Sequence, residues 1–295
     1  MSTASATQVS SSRAGWYPAP VRHWLRLFRS ELRNVFLRPR NLALLAVIAG
    51  APVFLGIVLW INTPAPGSGG PGAGVFIGEI AGNGVFLSLF TLYFLLTVLM
   101  PLAISVVAGE SVAGEAGLGT LRTLLTVPAG RIRLLVTKYV TIVVFCLAVT
   151  GLVAGFGLLM GAIFFPVGPV TLLSGDTVSL AAGLGRLVLI VLYVAAALSA
   201  LGAVGIALST FTQHAIAVMA TILVLVIVSE ILDAVSQVAA IHPYLPTHFW
   251  FSFDALLRMP IAWSQILHGL ASFGAYTVIF GAVAWTRMRR ANITC

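Results

Sequence analysis

Charge is what this sequence has least of. Asp, Glu, Lys and Arg make up 8% of its 295 residues, where soluble domains carry about a quarter. That scarcity excludes an ordinary soluble domain, because too few groups are present to hold such a surface in water. Cysteine is nearly absent: Cys146 lies inside an apolar run and Cys295 is the last residue. Nothing in this suggests a disulfide framework or a metal site. Lysine occurs once, at Lys138, and no G-x-x-x-x-G-K-[ST] phosphate loop accompanies it. The chain therefore does not bind ATP through that motif.

What the sequence does have is apolar residues, 59% of the chain. They fall into runs near the 20 or so residues that cross a bilayer. The runs are about 42–61, 85–108, 140–165, 187–208, 215–231 and 266–285. No cleavable leader is expected, and the first run reads as a retained helix. Residues 1–20 are rich in Ser, Ala and Thr and read as a disordered tail. Residues 21–40 set Trp24, Leu25, Phe28, Leu32 and Phe36 among Arg22, Arg26, Arg29, Arg33 and Arg38. That pattern is an amphipathic basic helix of the kind that lies in a membrane interface; a basic flank that only orients the first span is the plainer reading.

The net charge of +8 is not a nucleic-acid footprint, since the basic residues flank apolar runs rather than cluster on a soluble face. All but Arg186 and Arg258 lie in the arm before the first run, in the 109–138 loop or in the tail. Six spans put those three segments on one side, which the positive-inside rule makes cytoplasmic. Both termini are then cytoplasmic. High Ala, Gly, Val and Arg usage suggests a GC-rich bacterial genome, hence a bacterial cytoplasmic membrane. The segment 232–265 mixes Pro243, Pro246 and Pro260 with Tyr244, Phe249, Trp250, Phe251, Phe253 and Trp263. It reads as an extracellular or re-entrant stretch of short interfacial helices. Gly151-xxx-Gly155 and Gly157-xxx-Gly161, with the small residues Ala195 to Gly205, read as close helix packing.

The loop 109–138 carries the most specific pattern. Thr120 reads as a helix N-cap, Leu121, Leu124 and Leu125 share one face, and Pro128 ends the turn. Glu110, Glu115, Gly119-Thr120-Leu121, Leu124-Leu125, Pro128, Arg131 and Lys138 occur in an order that resembles the second-to-third-span loop of ABC-2 type permeases. The basic helix before span one, the six spans and the broken stretch before span six resemble that family too. The resemblance implies an all-α membrane protein of six transmembrane helices with an N-terminal interfacial helix, in a type V exporter-like architecture. It implies that the loop docks on a separate ATP-binding subunit, with Glu110, Glu115, Thr120, Leu121, Arg122, Leu124, Leu125 and Arg131 near the contact. The complex would hold two such subunits, which bind the ATP and Mg, and a second permease, the same or a similar chain. This chain would carry no cofactor or metal, touch membrane lipid and no nucleic acid, and be no enzyme by itself. The resemblance also places spans two and five beside the substrate path.

Phe86, Phe90, Tyr93 and Phe94 would then line an apolar path or face lipid. Glu230 and Asp233 would meet a cationic group at the outer mouth or stand as solvated helix-end acids. Few ionisable residues lie within the spans, which argues against an ion-coupled carrier and for an amphipathic or hydrophobic cargo such as a drug, an antibiotic or a lipid-like molecule. A membrane anchor or assembly factor, and an embedded enzyme using Glu110 and Glu115, are the alternatives.

Overall fold

The computed structural model describes residues 20–62, 76, 79–80, 82–114 and 131–290; for residues 20–23, 131 and 290 it describes the backbone alone. Glu115, Thr120, Leu121, Arg122, Leu124 and Leu125, and the 1–19 tail, lie outside the described residues, as does the Arg131 side chain.

Helix α1 (Pro20–Leu37) ends where Pro39 forces Arg38 into extended backbone (φ −66°, ψ 129°), because a proline ring disfavours the helical region for the residue before it. Helix α2 (Pro39–Ile61) restarts at once with proline in its first turn, where the missing N–H costs nothing. Asn41 ties the two together by donating through Nδ2 to the Val35 carbonyl at 2.8 Å.

The second apolar run is not one straight helix. It divides into α3 (Val85–Thr97) and α4 (Leu99–Gly109), which continues as a π-helical turn over Glu110–Gly114, with a bend of 53°. The break sits at Val98 (φ −139°, ψ −49°). Pro101 is its cause: it has no N–H to give to Thr97, four residues back, and its ring crowds that carbonyl.

The third run lies in α5 (Arg131–Phe164), which starts well before the apolar stretch does. The span expected to begin near Val140 therefore has a helical foot, and the two ends of the 109–138 loop are helical rather than loop. Arg, Leu and Lys are good helix formers, and hydropathy marks where lipid begins rather than where backbone hydrogen bonding begins.

After α5 a small antiparallel hairpin pairs β1 (Val170–Thr171) with β2 (Thr177–Val178). Gly175 turns it with φ 88°, a left-handed value that favours glycine. An all-helical expectation misses this element, although β-branched residues flanking Ser174-Gly175 signal it. Ser179 caps the next helix, its hydroxyl accepting from Ala182 N at 3.3 Å. Helix α6 (Leu180–Ser209) and α7 (Ala215–Asp233) follow. Two 3-10 segments, Ser236–Tyr244 (kinked at Val238) and Ser252–Leu257, fill the stretch before α8 (Trp263–Arg290).

Five of these helices are long and apolar enough to cross a membrane, or six when the bent α3–α4 pair counts as one span. The protein is a mostly helical membrane protein. Helix α6 is its centre: 72% of its most apolar window is buried, against 17% for α2 and α8. It packs against α8, α5 and α4. The outer helices present Phe54, Ile216 and Val278, each well over half exposed, to their surroundings, as suits faces solvated by lipid rather than water.

Small residues set the closest approaches. A side chain added at Gly161 would collide with the Gly84 backbone, and the reverse holds at Gly84. At Gly157 an added Cβ would lie 2.7 Å from Ser88 Cα. On α6, Gly202 and Gly205 face Ile142 and Ala108 just as closely. Gly151 and Gly155 differ: nothing lies within 4 Å of a Cβ built there, so the expectation that this pair mediates packing within the chain is corrected. Their face of α5 points away from α3.

Candidate functional site

Two polar clusters and two cavities stand out among the described residues. The first cluster gathers where α1, α2, α4 and α5 meet. Glu110, at the start of the π-helical turn, receives Arg40 at 2.8 Å on Oε1 and Arg38 at 3.1 Å on Oε2. Both arginines come from the α1–α2 junction, where the Pro39 break splays them toward α4. Nearby, Lys138 Nζ lies 3.4 Å from Glu31 Oε1, joining the foot of α5 to α1. The second pair is the more deeply buried, its side chains 2% and 10% exposed, so it is far less screened by solvent than the Glu110 pairs. Phe36 packs on Phe145 with ring centroids 5.6 Å apart and fastens the same two helices through apolar contact.

The cavity among Glu31, Asn41, Glu110 and Lys138 is about 30 Å³, the scale of one water. It has no room for a cargo. These groups can tie the start of α5, the end of α4 and the α1–α2 corner into one body. Glu110 and Arg131 bracket the 115–130 segment. Residues 110–114 and the first turns of α5 anchor that segment from both sides.

A larger cavity of about 610 Å³ opens between α8 and the chain around the first 3-10 segment. Pro243, Tyr244 and Phe249 form one wall; His268, Ser272, Tyr276 and Phe280 on α8 form the other. Tyr276 donates to the Tyr244 carbonyl at 2.5 Å, and Tyr193 on α6 donates to the Phe249 carbonyl at 2.7 Å. The irregular segment, whose own backbone bonds are mostly short-range turn and 3-10 bonds, is thus also held by tyrosines from the helices behind it. Arg186 adds a third tie, donating to the Leu256 and Arg258 carbonyls at 2.7 and 3.0 Å. Apolar walls with a few fixed polar groups are the makeup of a small-molecule site.

The path candidates are dispersed. Phe90 is buried, with Phe94 stacked on it at 6.1 Å and 56% exposed on the outer surface. Tyr93 turns inward to meet Phe251 at 4.4 Å, and Phe76 and Phe253 at 6.0 and 6.3 Å. Phe86 is fully buried. None of these four lines the 610 Å³ cavity; Phe249, His268, Ser272 and Tyr276 do. Sequence reasoning named the aromatic residues of this stretch but had no means of pairing them with α8.

The second polar cluster lies at the end of α7. Asp233 Oδ1 is 2.6 Å from His248 Nδ1 and 3.7 Å from His242 Nδ1. One ligand-capable atom from each of the three residues lies within 4.8 Å of the other two. Asp233 is therefore not a plainly solvated helix-end acid, and the two histidines had drawn no attention in the sequence. Their spacing matches no familiar ligand pattern; only the fold brings them to the acid.

The family model described as ABC-2 family transporter protein matches residues 6–290. A comparison with curated proteins returned no match. With nearly its whole length matched, the chain belongs to the ABC-2 transporter family.

Proposed function

We propose that this member of the ABC-2 family works as the translocation half of an ATP-driven exporter for an amphipathic or hydrophobic molecule. Family membership makes it a permease component of an ABC transporter and implies an ATP-binding subunit as partner. Export, the class of cargo, two copies of the ATPase, a second permease of the same or similar kind and a bacterial cytoplasmic membrane with both termini inside are the finer parts of the proposal. ATP and Mg would be bound by the partner.

The observation that carries the reading is the ion-paired junction at Glu110. The ATPase docks on residues 115–130, through Glu115, Thr120, Leu121, Arg122, Leu124 and Leu125, with Arg131 at the margin. A push on that segment reaches Glu110 at one end and the foot of α5 at the other. Glu110 pulls on Arg38 and Arg40, and Lys138 pulls on Glu31, so α1, α2, α4 and α5 move together. Helix α3 is packed on α5 and travels with that body, and the Val98 break is the joint at which α4 can tilt against it. Such rigid-body movement about a hinge is a standard way to alternate access. The cargo class follows from the 610 Å³ cavity, whose mostly apolar walls carry the Tyr276 hydroxyl, Ser272 and His268. The path residues expected from the sequence, Phe90, Tyr93, Phe94, Glu230 and Asp233, lie outside that cavity, and Phe94 is exposed on the outer surface.

The test is affinity purification of the tagged chain from native membranes in mild detergent. An ATP-binding subunit at near-equal ratio is expected, and changing Leu121 and Leu124 to Asp releases it while the permease stays monodisperse. If several mild detergents yield the permease without any ATPase, the chain acts as an anchor or assembly factor and the exporter reading fails.

A further inference from the structure

We propose that Asp233, His242 and His248 form a binding site for a divalent transition metal of the zinc class, located where α7 passes into the first 3-10 segment. The site is separate from the ATPase-docking region and stands whether or not the exporter reading holds.

The donor set is two imidazoles and one carboxylate, which suits zinc and its neighbours rather than magnesium or calcium. The three donor atoms lie within 4.8 Å of one another. In a tetrahedral site with metal–ligand bonds of about 2.0–2.2 Å, donors sit roughly 3.3–3.5 Å apart. The 3.7 Å separation of Asp233 Oδ1 and His242 Nδ1 is already close to that. The 2.6 Å contact between Asp233 Oδ1 and His248 Nδ1 needs only a small side-chain rotation to open. All three side chains are partly exposed, at 16–31%, so such a rotation is free to occur and a metal has a way in.

His242 is prepared for the role by its other nitrogen. Nε2 lies 3.2 Å from the Val235 carbonyl, which has no proton to give, so Nε2 carries the hydrogen. Nδ1 of the neutral ring is then a bare lone pair, and it faces the Asp233 carboxylate. Two acceptors facing each other at 3.7 Å gain nothing by themselves; a cation between them satisfies both. A ligating histidine whose second nitrogen is fixed by a backbone carbonyl is a recurrent feature of zinc sites. At His248 the Nδ1 proton that bridges to Asp233 without metal is released to solvent when metal binds. Phe249 packs edge-on against the His248 ring at 4.7 Å and restrains it. Pro243 and Pro246, between the two histidines, stiffen the connecting chain. Three protein ligands leave the fourth position to water.

Metal here would also brace the cavity wall. Pro243 and Tyr244 follow His242 directly, and Phe249 follows His248; all three line the 610 Å³ cavity. A metal bridging His242 and His248 to the end of α7 fixes both ends of that wall.

The experiment uses the full-length chain in detergent, purified through a tag without histidine and stripped with chelator. Zinc alone is titrated calorimetrically, and cobalt is added as an optical probe. One zinc ion per chain is expected, with an intense visible cobalt band of tetrahedral type. Losing even an outer-shell partner costs about 10–100-fold in affinity; His248→Ala, His242→Ala and Asp233→Asn should each lose at least as much and abolish the cobalt band. His268→Ala, which removes a cavity histidine outside the triad, should leave both unchanged. Should the alanine variants elute as aggregates, His242→Gln and His248→Gln keep a polar side chain and serve in their place. No stoichiometric zinc uptake by the wild-type chain, or uptake that survives all three substitutions, overturns the proposal and leaves the triad a simple His–Asp latch.

Discussion

A single buried charge decides much at the scale of the residue. Lys138, the one lysine, is 3% exposed and depends on Glu31 across a sequence distance of 107. Removing one member of a buried pair strands the other, at a cost of about 3–5 kcal/mol. Lys138→Met should therefore lower the thermal midpoint of the detergent-solubilised chain markedly. Adding Glu31→Leu should recover most of the loss, since an apolar pair of similar volume is often neutral. A double variant no more stable than Lys138→Met would mean that the pair is not what holds α1 on α5. The Glu110 pairs differ in kind: Arg38 and Arg40 are about half exposed, and each such pair contributes about 0.2–1 kcal/mol. Their importance is directional, in what moves with what, rather than energetic. The sequence pattern pointed to Glu110 itself. It gave no sign of Arg38, Arg40 or Glu31 as partners, because ion pairs between residues 70 to 107 apart obey no local spacing.

At the scale of the element, helix contact is governed by where small residues face. Gly161 and Gly157 let α5 press against α3, and Gly84 returns the contact. Gly161→Ala should destabilise by about 1–3 kcal/mol, the usual cost of overpacking. Gly151→Ala, on the open face of the same helix, should stay within about 0.5 kcal/mol. Parallel thermal-shift measurements of the two variants check this; equal losses would mean that Gly151 also meets a neighbour, such as a second permease. Both GxxxG pairs were equally visible in the sequence. Which one packs depended on the rotation of α5, and that is set by its partners. The α3–α4 break was legible, since Pro101 stands four residues after Thr97, yet a long apolar run conceals such a break when only hydropathy is read. The His–Asp triad was not legible at all, because its members are spread over an irregular segment whose course depends on Tyr193, Tyr276 and Arg186 holding it from behind.

At the scale of the whole molecule, the proposed orientation rests on the distribution of charge. The arm, the 109–138 loop and the tail hold nearly all its basic residues, and the proposed orientation keeps all three inside. With Cys146 and Cys295 changed to Ser, a cysteine placed at Ser68 should react with an impermeant maleimide on intact cells. A cysteine at Thr123 should react only after permeabilisation. The reverse pattern would invert the topology and remove the docking segment from any cytoplasmic ATPase.

The sequence by itself determined that the chain lives in a membrane, how many times it is able to cross and which segments carry the charge. Each of these depends on how a stretch of residues partitions between lipid and water, a property of the stretch alone. The tertiary structure alone decided that α6 is the buried centre, that Glu110 answers to Arg38 and Arg40, that Gly157 packs and Gly151 does not, and that two histidines close on Asp233. Those are contacts between distant residues, and their energies exist only once the chain has brought the partners together.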